Sequence, residues 1–282
     1  MSRIHIVTDS TADLKQDVIE KYDLHVVPLS IQIGDKTYLD RVDLEPESFL
    51  ELMKNSSELP KSSQPAPGVF KELYDELGKD GDQILSIHMT GGMSGTVESA
   101  RTAADLTDSD VTVIDSRYIS HALTFQVFEA AEMAKAGRTM EEIVARVDDI
   151  RRQTKLFVVV DTLENLAKGG RIGKGRAMLG SFLKIKPIAS LDDGEYTPVA
   201  KVRSHKQVVD YLMNEFKERT AGKTVKGVGI AHANGLAMAE PLRQKVIETG
   251  FLDIKFDFTT PVISTHTGIG AIGFMYYTDE KQ

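Results

Sequence analysis

The stretch QILSIHMTGGMSGTVESARTAADL, residues 83–106, decides the fold. QILSIHM is an apolar run of strand length, TGGMSGT a glycine-rich turn, and VESARTAADL a helical stretch. A strand that passes through a tight turn into a helix is the repeating step of a parallel sheet with helices on its faces. The step recurs on both sides. RIHIV (3–7) reads as a buried strand, and TDSTADLKQDVIEKY (8–22) supplies caps and a helix. LHVVPLSIQI (24–33) reads as a strand region, and EPESFLELMKNS (45–56) as a helix with Phe49, Leu50 and Met53 at helical spacing. VTVID (111–115) is a further strand, followed by two helical stretches as far as Arg152.

Beyond about Thr154 the pattern changes. KLFVVVDTLENLAKGG reads as strand then helix, and PIASLDDGEYTPVAKV as two extended runs about Asp193-Gly194, a hairpin signal. VKGVGIAHA is a strand, LAMAEPLRQKVIETG a helix closed by Gly250, and FLDIKFDF and AIGFMYY are strands. The expectation is two α/β domains: residues 1–153 with a mostly parallel sheet and flanking helices, and 154–282 with a mixed sheet.

The 282 residues are enough for two cores, and the 41% hydrophobic and 27% charged residues suit a globular chain. A net charge of −8 argues against nucleic acid as a partner. The chain has no Cys, which excludes disulfides, thiolate chemistry and Cys-based metal sites. The seven His form no H-x-x-H pattern, so no metal site is expected. MSRIHIVTDS carries no apolar signal region and no run of 18 apolar residues occurs, so the expected location is cytoplasmic.

Two motifs imitate nucleotide sites. Gly268, Gly270 and Gly273 spell G-x-G-x-x-G, but they run into an apparent strand and only 12 residues follow Gly270. The dinucleotide fingerprint must open a helix and needs a distant acid. KGGRIGKGRA has Lys168 and Gly175 where a phosphate loop needs Gly and a hydroxyl. No ATP site is found.

Four hydroxyl-rich stretches fall where strands should end: 8–11 (TDST), 61–68 (KSSQPAPG), 90–96 (TGGMSGT) and 264–268 (STHTG). Ligands of open α/β sheets bind outside the carboxyl ends of strands. Ser94 stands near a helix start, as a cap or as part of an anion site. The prolines make SSQPAPG a rigid loop that could fix Ser62. His266, after the apolar run PVIS read as a strand, is flanked by Thr265 and Thr267 and could hold a carboxylate. Lys168, Arg171, Lys174, Arg176, Lys184 and Lys186 form a basic stretch that could meet an anionic ligand, a protein or a membrane surface.

In order, TDSTAD (8–13), SSQPAP (62–67), SGT (94–96), DS (115–116), KGGRIG (168–173) and THTGIG (265–270) resemble the DegV family of fatty-acid-binding proteins, which includes the acyl-binding subunits of bacterial fatty acid kinase. The resemblance spans nearly the whole chain. It implies a long-chain fatty acid such as palmitate, stearate or oleate between two α/β domains, and no other cofactor. It places the carboxylate on Ser62 and on Ser94 of the Ser94-Gly95-Thr96 motif, with His266 beside it. Arg203 is implicated near the phosphorylation site, and Arg171 belongs to the KGGRIG motif. The implied role is a carrier, not an enzyme, that offers the carboxylate to a separate ATP-using kinase subunit, with the basic stretch available for docking or for contact with anionic membrane. Ile269 and Val97 depart from the family's usual Pro and Tyr and could reshape the cavity. The residues leave two alternatives: an acyl hydrolase or transferase using Ser94 and His266, or a sugar- or phosphate-binding module.

Overall fold

The computed structural model describes residues 3–178 and 185–280. The chain runs through β1 (Ile4–Asp9), α1 (Gln16–Tyr22), β2 (His25–Val27), β3 (Ser30–Ile33), β4 (Lys36–Leu39), α2 (Pro46–Asn55), β5 (Lys61–Ser63), α3 (Pro67–Gly78), β6 (Gln83–His88), α4 (Thr96–Leu106), β7 (Asp110–Asp115), α5 (Ser120–Lys135) and α6 (Met140–Gln153). It continues through β8 (Thr154–Val159), α7 (Glu164–Lys168), β9 (Lys186–Ser190), β10 (Thr197–Val202), α8 (His205–Thr220), β11 (Lys223–His232), α9 (Leu236–Ile247), β12 (Ile254–Phe258), α10 (Pro261–Thr267) and β13 (Ile272–Glu280).

The first sheet has the order β2-β1-β6-β7 and is parallel throughout, as the sequence leads one to expect. β1 and β6 are buried along nearly their whole length because helices cover both faces. On one face Val7, Val27 and Ile84 pack against Phe70 and Tyr74 of α3 and Ala100 of α4. The second sheet has the order β10-β9-β8-β13-β11-β12. It is mixed: β11 and β12 are parallel and its other pairs antiparallel. Its outer face packs on Leu212 and Phe216 of α8 and Leu242 of α9.

Between the sheets lies α5, which packs against β1, β6, β8, β11 and β13. It is buried on most of its circumference, from Ala122 and Leu123 to Ala130 and Ala131, as a helix enclosed by two sheets must be. One apolar cluster accordingly contains Ile6 and Ile87 of the first sheet together with Leu156 and Val158 of the second. We propose that the chain divides at 153/154, between α6 and β8, with one of these two large sheets in each half. Among the described residues no helix is long and apolar enough to cross a membrane.

Three elements depart from the sequence reading. LHVVPLSIQI is two strands, because Pro28 lacks the N–H that a continuous ladder needs. β2 joins the parallel sheet and β3 opens a small antiparallel sheet with the order β4-β3-β5. SSQPAPG is not all loop, since Lys61–Ser63 pairs with β3 as β5. Pro65 and Pro67 restrain only the backbone beyond Gln64. Finally, PVIS is helical: it forms the start of α10, with Pro261 in the first turn, where a missing N–H costs nothing. A short run buried on every side carries no period to distinguish strand from helix.

Beneath the carboxyl ends of β1 and β6 lies a fully buried polar chain. Asp9 accepts from the Thr11 N–H at 3.0 Å, the Thr11 hydroxyl at 2.6 Å and the Met89 N–H at 2.8 Å, and pairs with His88 Nδ1 at 3.1 Å. His88 Nε2 bonds Ser86 Oγ at 2.7 Å, which bonds Tyr74 Oη at 2.7 Å. Replacing Asp9 by Ala would strand several buried donors at once. Urea unfolding of Asp9→Ala is expected to show a loss of about 3 kcal/mol or more, with Asp9→Asn losing less.

Candidate functional site

The loops at the carboxyl ends of the first sheet and the inner face of the second line a pocket. Its deep wall is apolar and buried: Leu29, Met89, Ile119, Val158, Leu166, Leu191 and Val262. A second, smaller pocket shares Ile119, Val158, Ile263 and Thr267 with it and adds Leu156 and Ala231 of the second sheet to the apolar lining. Of the polar wall residues, Ser62, Ser94, Arg171 and His266 are half-buried and mark the end nearer solvent, while the buried Thr11 and Thr267 spend their hydroxyls on Asp9 and on the Ile263 carbonyl.

Ser62 and His266 meet here, with Oγ and Nε2 2.7 Å apart. Ser62 is brought in by β5, where it pairs in register with the fully buried Ile31 and so shares its face. His266 is carried by α10. Burial, with the Arg171 guanidinium adding to it, brings the His266 imidazole down to about 4, so the ring is neutral at neutral pH. Its Nδ1 is buried without a hydrogen-bond partner. That nitrogen lies against Gly169, where any Cβ would collide with the ring.

The start of α10 is itself anchored. Ser10 donates to Asp40 at 2.7 Å, and Asp40 accepts from the Val262 N–H at 3.2 Å, in the helix's first turn. Burial raises the Asp40 carboxyl to about 7, against the hydrogen bonds from Ser10 and Val262. Arg171 donates through Nε to the Met93 carbonyl at 2.9 Å and through Nη1 to the Gly169 carbonyl at 2.6 Å, tying the KGGRIG loop to the TGGMSGT turn. Ser94 Oγ bonds Thr96 Oγ1 at 2.8 Å, at the start of α4.

The sequence candidates therefore divide. Ser62, Ser94, Arg171, His266 and Thr267 line the cavity. Thr265 and Thr267 are spent inside α10, donating to the carbonyls of Pro261 and Ile263. Gly95 lets Gln64 approach at a point a Cβ would occupy, and Thr96 is buried in α4. Arg203 is exposed just beyond β10, an edge strand, and is not in the wall. Neither Val97, buried in α4, nor the partly exposed Ile269 lines the cavity, so these two departures do not reshape it directly. STHTG falls at the end of a helix, not of a strand. The basic stretch is not one patch: Lys168 pairs with Glu164, Lys186 with Asp161, Arg171 turns to the cavity, and Lys184 lies outside the described residues.

Sequence reasoning missed Tyr196. Its ring is buried in the pocket wall and its hydroxyl has no partner among the described residues, with burial holding its pKa far above the ordinary value. The glycines of RIGKG make room for it: a Cβ on Gly175 would lie 2.9 Å from the ring and one on Gly173 would lie 2.8 Å from its carbonyl. A tyrosine after a hairpin turn gives no sequence signal by itself.

With this geometry in view, a family model described as "Uncharacterised protein, DegV family" matches residues 3–279. A DegV domain-containing protein of Listeria innocua is 47% identical over 99% of this chain and 100% of its own. The fatty-acid-binding DegV family protein of Thermus thermophilus superposes with a TM-score of 0.93 at 31% identity, covering 98% of this chain and 100% of that one. The fatty acid kinase B3 protein of Streptococcus pneumoniae, solved loaded with linoleic acid, superposes with a TM-score of 0.84 at 25% identity, over 99% and 100% of the two chains.

Two outcomes test the site's construction. Gly169→Ala forces the imidazole aside, which is expected to cost about 1–3 kcal/mol and to shift the His266 ring resonances in NMR spectra. For Asp40, the folded carboxyl holds its proton up to about 7 while the unfolded one releases it near 3.8. That contribution to stability is full below about pH 4 and is lost as pH rises through about 7. Asp40→Asn cannot titrate, so the difference in stability between the two proteins should shift in the variant's favour across that window in urea midpoints.

Proposed function

This chain belongs to the DegV family, and on that premise we propose that it binds one long-chain fatty acid and presents its carboxylate to a separate ATP-dependent kinase subunit. The observation that carries the reading is the gradient along the cavity: half-buried polar groups at the mouth, buried apolar ones behind. A ligand with one anionic end and a long hydrocarbon matches both. The Thermus relative binds fatty acid and the Streptococcus relative is a fatty acid kinase protein loaded with linoleic acid.

The chemistry follows from the protonation states. A neutral imidazole has one N–H. With that proton on Nε2 it donates to Ser62 Oγ, and the Ser62 hydroxyl proton is free to donate to a carboxylate oxygen. Arg171 supplies the balancing positive charge, and Ser94 brings a second hydroxyl. Each hydrogen bond to the anion contributes about 1.5–3 kcal/mol. The tail contributes roughly 0.8 kcal/mol per CH₂, on the order of 10 kcal/mol gross for about 16 carbons, before association costs. The tail supplies affinity and the mouth supplies orientation. A carboxylate held at one oxygen keeps the other as the nucleophile toward the terminal phosphorus of ATP on the kinase, and that phosphorus's bond to the bridging oxygen breaks as ADP leaves and the acyl-phosphate forms. The exposed Lys174 and Arg176, three and five residues beyond Arg171, are the proposed docking charges for the kinase or for anionic membrane.

The geometry does not favour a hydrolase built on Ser94 and His266. His266 bonds Ser62, Ser94 bonds Thr96, and among the described residues no carboxylate orients His266 Nδ1.

Protein purified from a lipid-containing host should release about one fatty acid per chain on organic extraction, read by mass spectrometry. Delipidated Ser62→Ala and Arg171→Met should still take up fatty acid, with acyl-phosphate formation by the kinase and ATP falling tenfold or more. An empty extract with no uptake of added acid would overturn the lipid reading. Undiminished acyl-phosphate from both variants would overturn the head-group assignment alone.

A further inference from the structure

At the far end of β1 from the cavity, two imidazoles and a carboxylate converge. Val7 pairs in register with His25 across the parallel β1–β2 ladder. Alternation along β1 puts His5 on the same face as Val7, so His5 and His25 are diagonal neighbours on one face. Their ring centroids are 5.5 Å apart. Asp23 sits in the turn that enters β2, with its backbone in the left-handed region at φ 51°. One ligand atom from each of His5, Asp23 and His25 lies within 4.8 Å of the other two.

Three further observations point to a ligand. His5 Nδ1 and His25 Nε2 are both buried without any hydrogen-bond partner, an arrangement that costs free energy unless something fills it. His5 is only 9% exposed, so water does not freely satisfy it. And the other nitrogen of His5, Nε2, lies 3.2 Å from Asp82 Oδ2, while Asp82 Oδ1 accepts the Arg3 N–H at 2.7 Å. A carboxylate that takes the proton of one imidazole nitrogen leaves the other as a bare lone pair. This is the outer-shell device by which proteins fix a metal-binding histidine.

We propose that His5, His25 and Asp23 form a site for a divalent first-row transition metal, with Asp82 positioning His5. This departs from the sequence reading, which expected no metal, because the ligands come from a strand start and a turn with no motif spacing. Two imidazoles, one carboxylate and a water make a four-coordinate set suited to zinc, with cobalt as its spectroscopic substitute. Tetrahedral zinc holds its ligands about 3.3 Å apart, so the side chains close by roughly 1.5 Å at most. The exposed ion pair of Asp23 with Arg3 is a weak competitor. The metal would tie the start of β1 to the α1–β2 turn, with Asp82 linking in the entry to β6. Its role is then to stabilise the fold, not to touch the ligand in the cavity.

The test uses the full-length, metal-stripped protein with zinc chloride alone, in calorimetric titration and thermal melts. The expected result is one zinc per chain, a rise in Tm with zinc, and visible d–d absorption with cobalt. His25→Gln and Asp23→Asn change residues that are not deeply buried, and each should weaken zinc binding tenfold or more and reduce the zinc-dependent rise in Tm. Asp82→Asn should weaken it 10- to 100-fold without removing a ligand. Absence of saturable one-to-one binding, or affinity unchanged in both His25→Gln and Asp23→Asn, would overturn the site.

Discussion

The hydrogen bond between Ser62 Oγ and His266 Nε2 joins residues 204 positions apart, and much of the local architecture exists to make it. It needs β5 paired to β3 so that Ser62 faces inward, and it needs α10 started at the right point so that His266 arrives opposite. The second requirement passes back through Asp40 to Ser10 at the end of β1. It also needs Gly169, since a side chain there would take the space of the ring. The charge state belongs to the same constraint. An imidazolium beside Arg171 would put two cations in a poorly hydrated wall, and burial keeps the ring neutral instead. The proposed carboxylate would then meet one permanent cation, Arg171, among the described lining residues, together with neutral donors.

The apolar pocket behind this bond is lined by Ile119, Val158 and Val262 and is set in firmly tied surroundings. Asp9 fixes Thr11 and Met89, both wall residues, through bonds that are wholly buried. Thr90 donates to the Gly194 carbonyl at 3.0 Å, clasping the first sheet's loops to the β9–β10 hairpin of the second. Any occupant that fills the space adds its binding free energy to folding by mass action.

Much of the fold was legible because long apolar runs and helical spacing are strong local signals. The strands at 83–88 and 223–232, the hairpin about Asp193-Gly194 and the mixed character of the second sheet all follow from pattern. What escaped was short or contextual. β3, β4 and β5 are three or four residues each, too short for alternation to register, and Pro28 hid a boundary inside an apolar run. α10 looked like a strand because its residues are buried on all sides, and its helical start depends on Asp40, far away in sequence. Of the site, the residues with unusual company, Ser62, Ser94 and His266, were visible. Tyr196 was not, because its isolation from hydrogen-bond partners is a property of the packed wall alone.

The KGGRIGKG loop shows how one composition serves different physics. A phosphate loop uses glycines so that successive N–H groups can face an anion. Here the glycines give way to other parts of the chain: Gly169 to the His266 ring, Gly175 to the Tyr196 ring and Gly173 to the Tyr196 backbone. The cations are likewise separated by direction, with Lys168 drawn to Glu164 on the outer surface and Arg171 anchored inward on the Met93 and Gly169 carbonyls. Those two carbonyl bonds hold the guanidinium in place without neutralising it, so its charge remains available at the cavity wall. A loop built in this way cannot wrap a nucleotide's phosphates, but it can set one fixed charge beside one neutral histidine. That is an arrangement suited to the proposed carboxylate at the mouth of an apolar pocket.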